Sequence, residues 1–123
     1  MKSNKAEVGV FGEDFTVKHL KKQGYKILER NFHSRFGEID IIASKKDIIA
    51  FVEVKTRGEN AIYSPREAVD FYKQQKCVKT AQMYLVQNSV ELQPRFDVSE
   101  ILLEKREDSK LKVKEHNYIK NAF

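Results

Sequence analysis

A chain of 123 residues suits one domain of ordinary size, residues 1–123, and 41% hydrophobic residues suffice for its core. A single cysteine, Cys77, excludes an internal disulfide and a cysteine metal cluster; no run approaches the roughly 18 apolar residues of a membrane span, and no apolar stretch follows Met1–Lys5 as in a signal peptide. The excess of 23 basic over 18 acidic residues, net +5 with a pI near 9.3, permits a polyanionic partner without requiring one. The expectation is a cytoplasmic protein with no membrane partner.

Lys5 to Gln23 is predicted to be a helix that ends at Gly24, a residue suited to a C-cap. Its apolar positions form two stripes. Val8, Phe11 and Phe15 lie on one side, and Val10, Val17 and Leu20 toward another. Such a helix is expected to pack on two sides, against a sheet and against a partner such as a second copy in a homodimer. Tyr25 to Phe32 is predicted as a short strand. Gly37–Ala43 and Ile48–Arg57 are stronger strands, rich in Ile and Val, joined as a hairpin by Ser44-Lys45-Lys46-Asp47. Ser64-Pro65-Arg66-Glu67 has the chemistry of a helix start: a capping serine, a proline at the first turn and a glutamate closing the capping box. Ala68, Phe71, Val78, Ala81 and Leu85 continue at helical spacing to about Asn88. Arg95–Glu104 and Leu111–Ile119 close the chain as two strands. The order αβββαββ implies an α/β fold with a mixed sheet flanked by helices.

Strand side chains alternate between faces. Glu38 and Asp40 therefore share a face, as do Phe51, Glu53, Lys55 and Arg57. Folding the hairpin about Lys46-Asp47 sets Asp40 opposite Glu53 and Glu38 opposite Lys55. Two carboxylates about 5 Å apart repel by about 3 kcal/mol at an effective dielectric of ~20. A cation between them would offset that repulsion: Lys55 in part, a divalent metal more fully. The alternative is a solvated sheet face carrying a Glu38–Lys55 surface pair, and a one-residue slip in register would separate Asp40 from Glu53. Glu13 lies among Gly9, Val17 and Leu20 on one helical stripe. It either sits at the rim of the core or points at a charged site beside the sheet.

An Asp on one strand and Glu-x-Lys on the next, here Gly37-Glu38-Ile39-Asp40 and Phe51-Val52-Glu53-Val54-Lys55, resemble the PD-(D/E)XK nuclease superfamily, whose core runs αβββαβ. A longer set of residues is similar to the YraN-like family, grouped with archaeal Holliday-junction resolvases. It comprises Gly12-Glu13, Arg30-Asn31, Gly37 to Ala43, Phe51 to Arg57, Ser64-Pro65, Lys73, Lys76 and Arg95-Phe96-Asp97-Val98. Thr16, where a small Ala is expected, and His19, where an aromatic is usual, depart from it. The resemblance implies a restriction-endonuclease-like fold. It implies Asp40 and Glu53 as ligands of Mg²⁺ or Mn²⁺, Lys55 at the attacking water or the phosphate, and Glu13 as a further acidic catalytic residue. Lys73 and Lys76 would face the nucleic-acid backbone.

Lys73 and Lys76 are three residues apart on one helix face, which suits phosphate contact, although by pattern alone a solvated face is the commoner reading. Arg57 continues the Lys55 face to the strand's end and is assigned to the substrate side. Asp97 either assists the site or holds Arg95 in a structural ion pair. His19, His33 and His116 show no metal spacing and are assigned no function, and Cys77 is read as structural or idle. The functional expectation is a metal-dependent endonuclease acting on nucleic acid, on DNA rather than RNA, branched or structured. Its alternatives are a non-catalytic nucleic-acid-binding module and an adaptor that associates through the first helix.

Overall fold

The computed structural model describes residues 5–58, 70–104 and 110–123. The elements are α1 (Lys5–Lys22), β1 (Lys26–Ser34), β2 (Gly37–Lys45), β3 (Ile48–Arg57), α2 (Phe71–Gln87), β4 (Gln93–Glu104) and β5 (Lys112–Ile119). The strands form one mixed sheet in the order β1-β2-β3-β4-β5. All neighbours run antiparallel except β3 and β4, which run parallel because α2 carries the chain between them. Among the described residues no helix is long and apolar enough to cross a membrane.

Strand alternation divides the core into two. Ile41, Ala43, Ala50 and Val52 pack with Val17 and Leu20 of α1 and with Tyr25. Ile42, Ile49 and Phe51, of the opposite parity, pack with Ala81 and Tyr84 of α2. One helix therefore covers each face of the sheet. Burial of these side chains stabilises the sandwich by roughly 1.5–3 kcal/mol for each large aliphatic or aromatic residue. α1 approaches β3 so closely at Gly12 that a Cβ there would collide with Thr56 Oγ1, so only glycine lets this turn of the helix, and Glu13 with it, sit against the strand. The second expected stripe of α1 is only partly buried. Val17 and Leu20 are in the core, but Val10 is exposed, because the sheet lies beneath the C-terminal half of the helix. Thr16 lies on the buried side, donating or accepting with Ser99 Oγ at 2.8 Å, and His19 packs its ring 4.8 Å from that of His116. Both departures from the family pattern fall on the α1 side of the sheet.

The helix through residues 71–87 starts later than its local chemistry predicted. Asp70 is the N-cap, accepting from the Lys73 backbone N–H at 2.8 Å, and the helix begins at Phe71. Ser64, Pro65, Arg66 and Glu67 lie outside the described residues. A cap is a local signal that several nearby residues can supply, and here Asp70 supplies it.

The hairpin register is the one counted from the sequence. Ile41 pairs with Val52, Ile42 with Phe51 and Lys45 with Ile48. The ladder stops at Ile41–Val52, one step short of Asp40 and Glu53. Beyond it β2 changes direction. Ile39 packs with the α2-side cluster although it shares parity with Ile41, which faces α1. On the other flank of β2, Asn31 takes φ 54°, between the Arg30–Ile41 and Phe32–Ile39 pairs. Asn tolerates this left-handed conformation better than most residues. The sheet thus forks at Asp40.

Candidate active site

The fork explains how the acidic residues come together. Where the β2–β3 ladder ends, the Val54 backbone N–H donates to Asp40 Oδ2 at 2.8 Å, so a side-chain carboxylate replaces the missing strand carbonyl. This bond ties Asp40 to the strand segment that carries Glu53 and Lys55. Asp40 is half-buried. Its carboxyl is pushed up to about 7, first by burial and then by the Glu53 carboxylate, against the downward pull of the Val54 N–H and with smaller upward contributions from Glu13 and Glu38. Three carboxylates therefore act on the same buried acid, as a site that lacks one positive charge would show.

Part of the required charge comes from lysines. Lys55, buried with 8% exposure, places Nζ 3.1 Å from Glu53 Oε1. Lys73, reaching down from the first turn of α2, places its own Nζ 2.8 Å from the same oxygen. Burial, together with the adjoining Lys73 ammonium, lowers the Lys55 pKa against the pull of Glu53. On Lys73 burial acts downward too, but hydrogen bonds to Glu53 and Lys55 outweigh it and the net shift is upward. Two ammonium groups on one carboxylate oxygen thus hold their protons unequally, and the deeper lysine holds its proton more loosely. Such a lysine releases its proton more readily than an exposed one.

The lysine that opposes Glu38 in the simple hairpin count does not pair with it. Glu38 instead faces His33 across β1–β2, with His33 Nδ1 3.4 Å from Oε2, because beyond the fork β2 stays with β1 rather than with β3. Glu13 is held from the β1 side. Asn31 Nδ2 donates to its Oε1 at 3.2 Å and Arg30 Nη2 lies 3.6 Å away, while Arg30 also bonds Asp14 at 2.8 Å. Among the described residues no three Asp, Glu, His or Cys side chains converge as a metal cage. Asp40 and Glu53 offer two hard oxygen groups, and a divalent ion held by so few protein ligands keeps several waters, as Mg²⁺ commonly does.

Glu53 forms the floor of a cleft of about 420 Å³ between the β1–β2 tip and α2. Its walls include Phe36, Gly37, Glu38, Asp70, Tyr72, Lys73, Lys76, Cys77 and Phe123. Lys76 therefore belongs to the cleft, with its Nζ 4.4 Å from the centre of the Tyr72 ring. Arg57 does not line it. Half-buried at the end of β3, it donates from Nη1 to the Thr56 carbonyl at 3.1 Å. The Cys77 thiol is pushed up to about 12, by burial and then by Glu53 and Asp40, so it stays protonated and is a poor nucleophile. Asp97 lies on the other face of the sheet, fully buried in an ion pair with Arg95 at 2.9 Å, which makes it structural. Sequence reasoning missed two features here, the direct Lys73–Glu53 contact and the aromatic walls. Tyr72 beside Lys73 and Lys76 was the one signal that could have pointed to the latter.

The raised Asp40 pKa has a measurable consequence. The folded chain keeps a proton that the unfolded chain releases between pH 3.8 and about 7. Stability therefore falls as pH rises through that window, and the cost is fully present above it. Asp40→Asn removes the buried charge while keeping an acceptor for Val54. It is expected to raise unfolding stability by ~1–3 kcal/mol at pH 8 and to change it little at pH 4. Urea denaturation without divalent cations measures this, and equal midpoints for the two proteins at pH 8 would contradict it.

The uncharacterised protein family UPF0102 matches residues 12–101. A UPF0102 protein of Caldanaerobacter subterraneus subsp. tengcongensis is 50% identical over 123 residues, covering 99% of this chain and 98% of the relative. One from Acetivibrio thermocellus is 48% identical over 124 residues, covering 99% and 95%. One from Clostridium botulinum strain Hall is 47% identical over 119 residues, covering 95% and 94%. With a match across most of its length and relatives this similar, the chain belongs to the family UPF0102.

Proposed function

We propose that this protein is a metal-dependent endonuclease that hydrolyses phosphodiester bonds in DNA, branched or otherwise structured, with Mg²⁺ or Mn²⁺ held by Asp40 and Glu53. One observation carries the reading. At the fork of the sheet, Asp40 is held by Val54 N–H beside Glu53, and a buried lysine lies on the same carboxylate. An acid raised by its neighbours, next to a lysine lowered by burial, is the pairing expected where proton transfer and charge stabilisation are needed. The likeness of Asp40, Glu53 and Lys55 to the PD-(D/E)XK pattern, and of the αβββαββ order to a restriction-endonuclease-like core, supports the same reading.

A divalent ion on this donor set would polarise the phosphate and lower the pKa of the attacking water. The rest falls to the chain's own side chains. Lys55 would receive the proton of the attacking water only in its neutral form, having first released its own proton, or as the ammonium would donate to the phosphate oxygen that gains charge. Lys73, with its ammonium 2.8 Å from Glu53 Oε1 at the cleft, would contact a phosphate oxygen. Lys76 holds the backbone at the cleft wall. Glu13, fixed by Asn31 and Arg30, adds negative charge that favours a cation over an empty site. The basic excess serves phosphate contact without reading sequence.

A second reading, a nucleic-acid-binding module without catalysis, is favoured by the two lysines that already neutralise Glu53. Incubation with linear, branched and single-stranded DNA and RNA separates them. The nuclease reading expects divalent-dependent cleavage, strongest on branched or single-stranded DNA, that Asp40→Ala abolishes. Binding with no cleavage by either protein would favour the module.

A further inference from the structure

We propose that the cleft takes one unpaired nucleotide with its base stacked between Tyr72 and Phe36, so that the DNA acted on carries a single-stranded segment at the cut. This rests on reading the cleft as a nuclease site, and it names the substrate class for that site.

Tyr72 is 68% exposed although it stands on the first turn of α2, next to the lysine that reaches Glu53. Phe36, half-buried at the tip between β1 and β2, lines the same cleft. Phe123, the third aromatic wall, is already committed to the core, with its ring stacked 5.2 Å from Phe96. Each of the two available rings carries its own cations. Lys76 Nζ lies 4.4 Å from the Tyr72 ring centre. Arg35 and Lys79 lie 4.9 and 5.4 Å from that of Phe36. These cations lie over the rings themselves, so a base that stacks there takes the place of the cation, which moves to the adjoining phosphate.

Size and chemistry favour an unpaired base over a paired one. The cleft, at about 420 Å³, lies at the lower end of the ~300–1,000 Å³ range of small-ligand sites, room for one nucleotide and not for a base pair with its neighbours. In a duplex the base faces are covered by stacking, and a protein ring reaches one only when the nucleotide is unstacked or flipped. The acidic wall residues do not prevent entry. Asp70 is engaged as the cap of α2, and Glu38 lies 3.4 Å from His33, so each carboxylate already has a partner. A base held between Tyr72 and Phe36 brings its own phosphodiester toward Glu53 at the floor.

The test is fluorescence-anisotropy binding of a labelled oligo-deoxythymidine and of a DNA duplex of equal length, with Ca²⁺ replacing Mg²⁺. Wild type is expected to prefer the single strand. Tyr72→Ala should lose about tenfold in affinity for the single strand, within the range seen for one stacked base, and much less for the duplex. Tyr72→Phe keeps the ring and should bind as wild type does. Phe71→Ala controls for general stickiness. Phe71 is 71% exposed but does not line the cleft, and its loss should leave the preference intact. Equal single-strand affinity for wild type and Tyr72→Ala, or a preference for duplex, would overturn the stacking inference while leaving the nuclease reading in place. No binding of either DNA would overturn both.

Discussion

Asp97→Ala is expected to remove about 3–5 kcal/mol of folding stability, a large share of what a domain of this size has. Asp97 is fully buried and accepts five hydrogen bonds: from Arg95 Nε at 2.9 and 3.2 Å, Arg95 Nη2 at 2.9 Å, Tyr118 OH at 2.6 Å and Asn121 N at 3.2 Å. Its loss strands a guanidinium whose side chain is only 12% exposed. It also strands a tyrosine hydroxyl whose pKa is raised by burial and by Asp97 itself. The cost is that of an unpaired buried charge, not of a single surface ion pair, which is worth about 0–1 kcal/mol. The same carboxylate anchors the C-terminal tail through Asn121, and the tail brings Phe123 to the cleft wall. Asp97→Asn keeps the shape but removes the charge and turns an amide donor toward the guanidinium, so it is expected to cost less than alanine yet remain destabilising. Urea unfolding measures both. A loss below about 1 kcal/mol for Asp97→Ala would mean that Arg95 finds another partner and that the network is not needed for the fold.

Lys55→Ala is expected to lower the cleavage rate by at least ~10²-fold while leaving DNA affinity within a few-fold, the signature of a group needed in the transition state. Lys55 is buried beneath the cleft and its ammonium lies on Glu53, so it contributes little to docking a backbone that other basic residues contact from above. Lys73 does not replace it. Lys73 comes from α2 on the other side of Glu53 and holds its proton more tightly, which suits a phosphate contact and not proton acceptance. Glu53→Gln should also lose cleavage, and removal of a negative charge from the floor should tighten DNA binding. Cleavage in Mg²⁺ or Mn²⁺ and binding in Ca²⁺, measured side by side, separate the two effects. Cleavage by Lys55→Ala at the wild-type rate would remove its assigned role.

The sequence carried those parts of the fold that depend on alternation and local capping. Ile48–Arg57 is a strand with the bounds read from its Ile/Val pattern, and the hairpin register followed from the symmetric count about Lys46-Asp47. The fork at Asp40 was not legible. It arises from a left-handed Asn31 on β1 and a side-chain acceptor on β2, and neither changes the hydrophobic pattern. For the same reason the expected Glu38–Lys55 opposition became a Glu38–His33 pair. The helix Phe71–Gln87 carries its own cap at Asp70, a local signal in the sequence, while the capping box at Ser64 falls outside the described residues. Val10 is exposed because periodicity gives the faces of a helix but not how far along it the sheet extends. Lys73 meeting Glu53 joins residues far apart in sequence, which spacing on one helix does not report. The apolar stripe left Glu13 open between the rim of the core and a charged site, and its charge acts on Asp40.

Cleavage of a labelled four-way junction and its component single strands, by wild type and by Asp40→Ala, with Mg²⁺ or Mn²⁺ and then with chelator, tests the central claim most directly. Asp40 is the residue that the fork positions and its neighbours push toward protonation, so its truncation removes one of the two proposed cation ligands while leaving Lys55 and Lys73 on Glu53. The account predicts divalent-dependent cutting by wild type that chelation stops and that Asp40→Ala lacks. Wild type that cuts none of these DNAs at any divalent concentration, or Asp40→Ala that cuts at the wild-type rate, would contradict it.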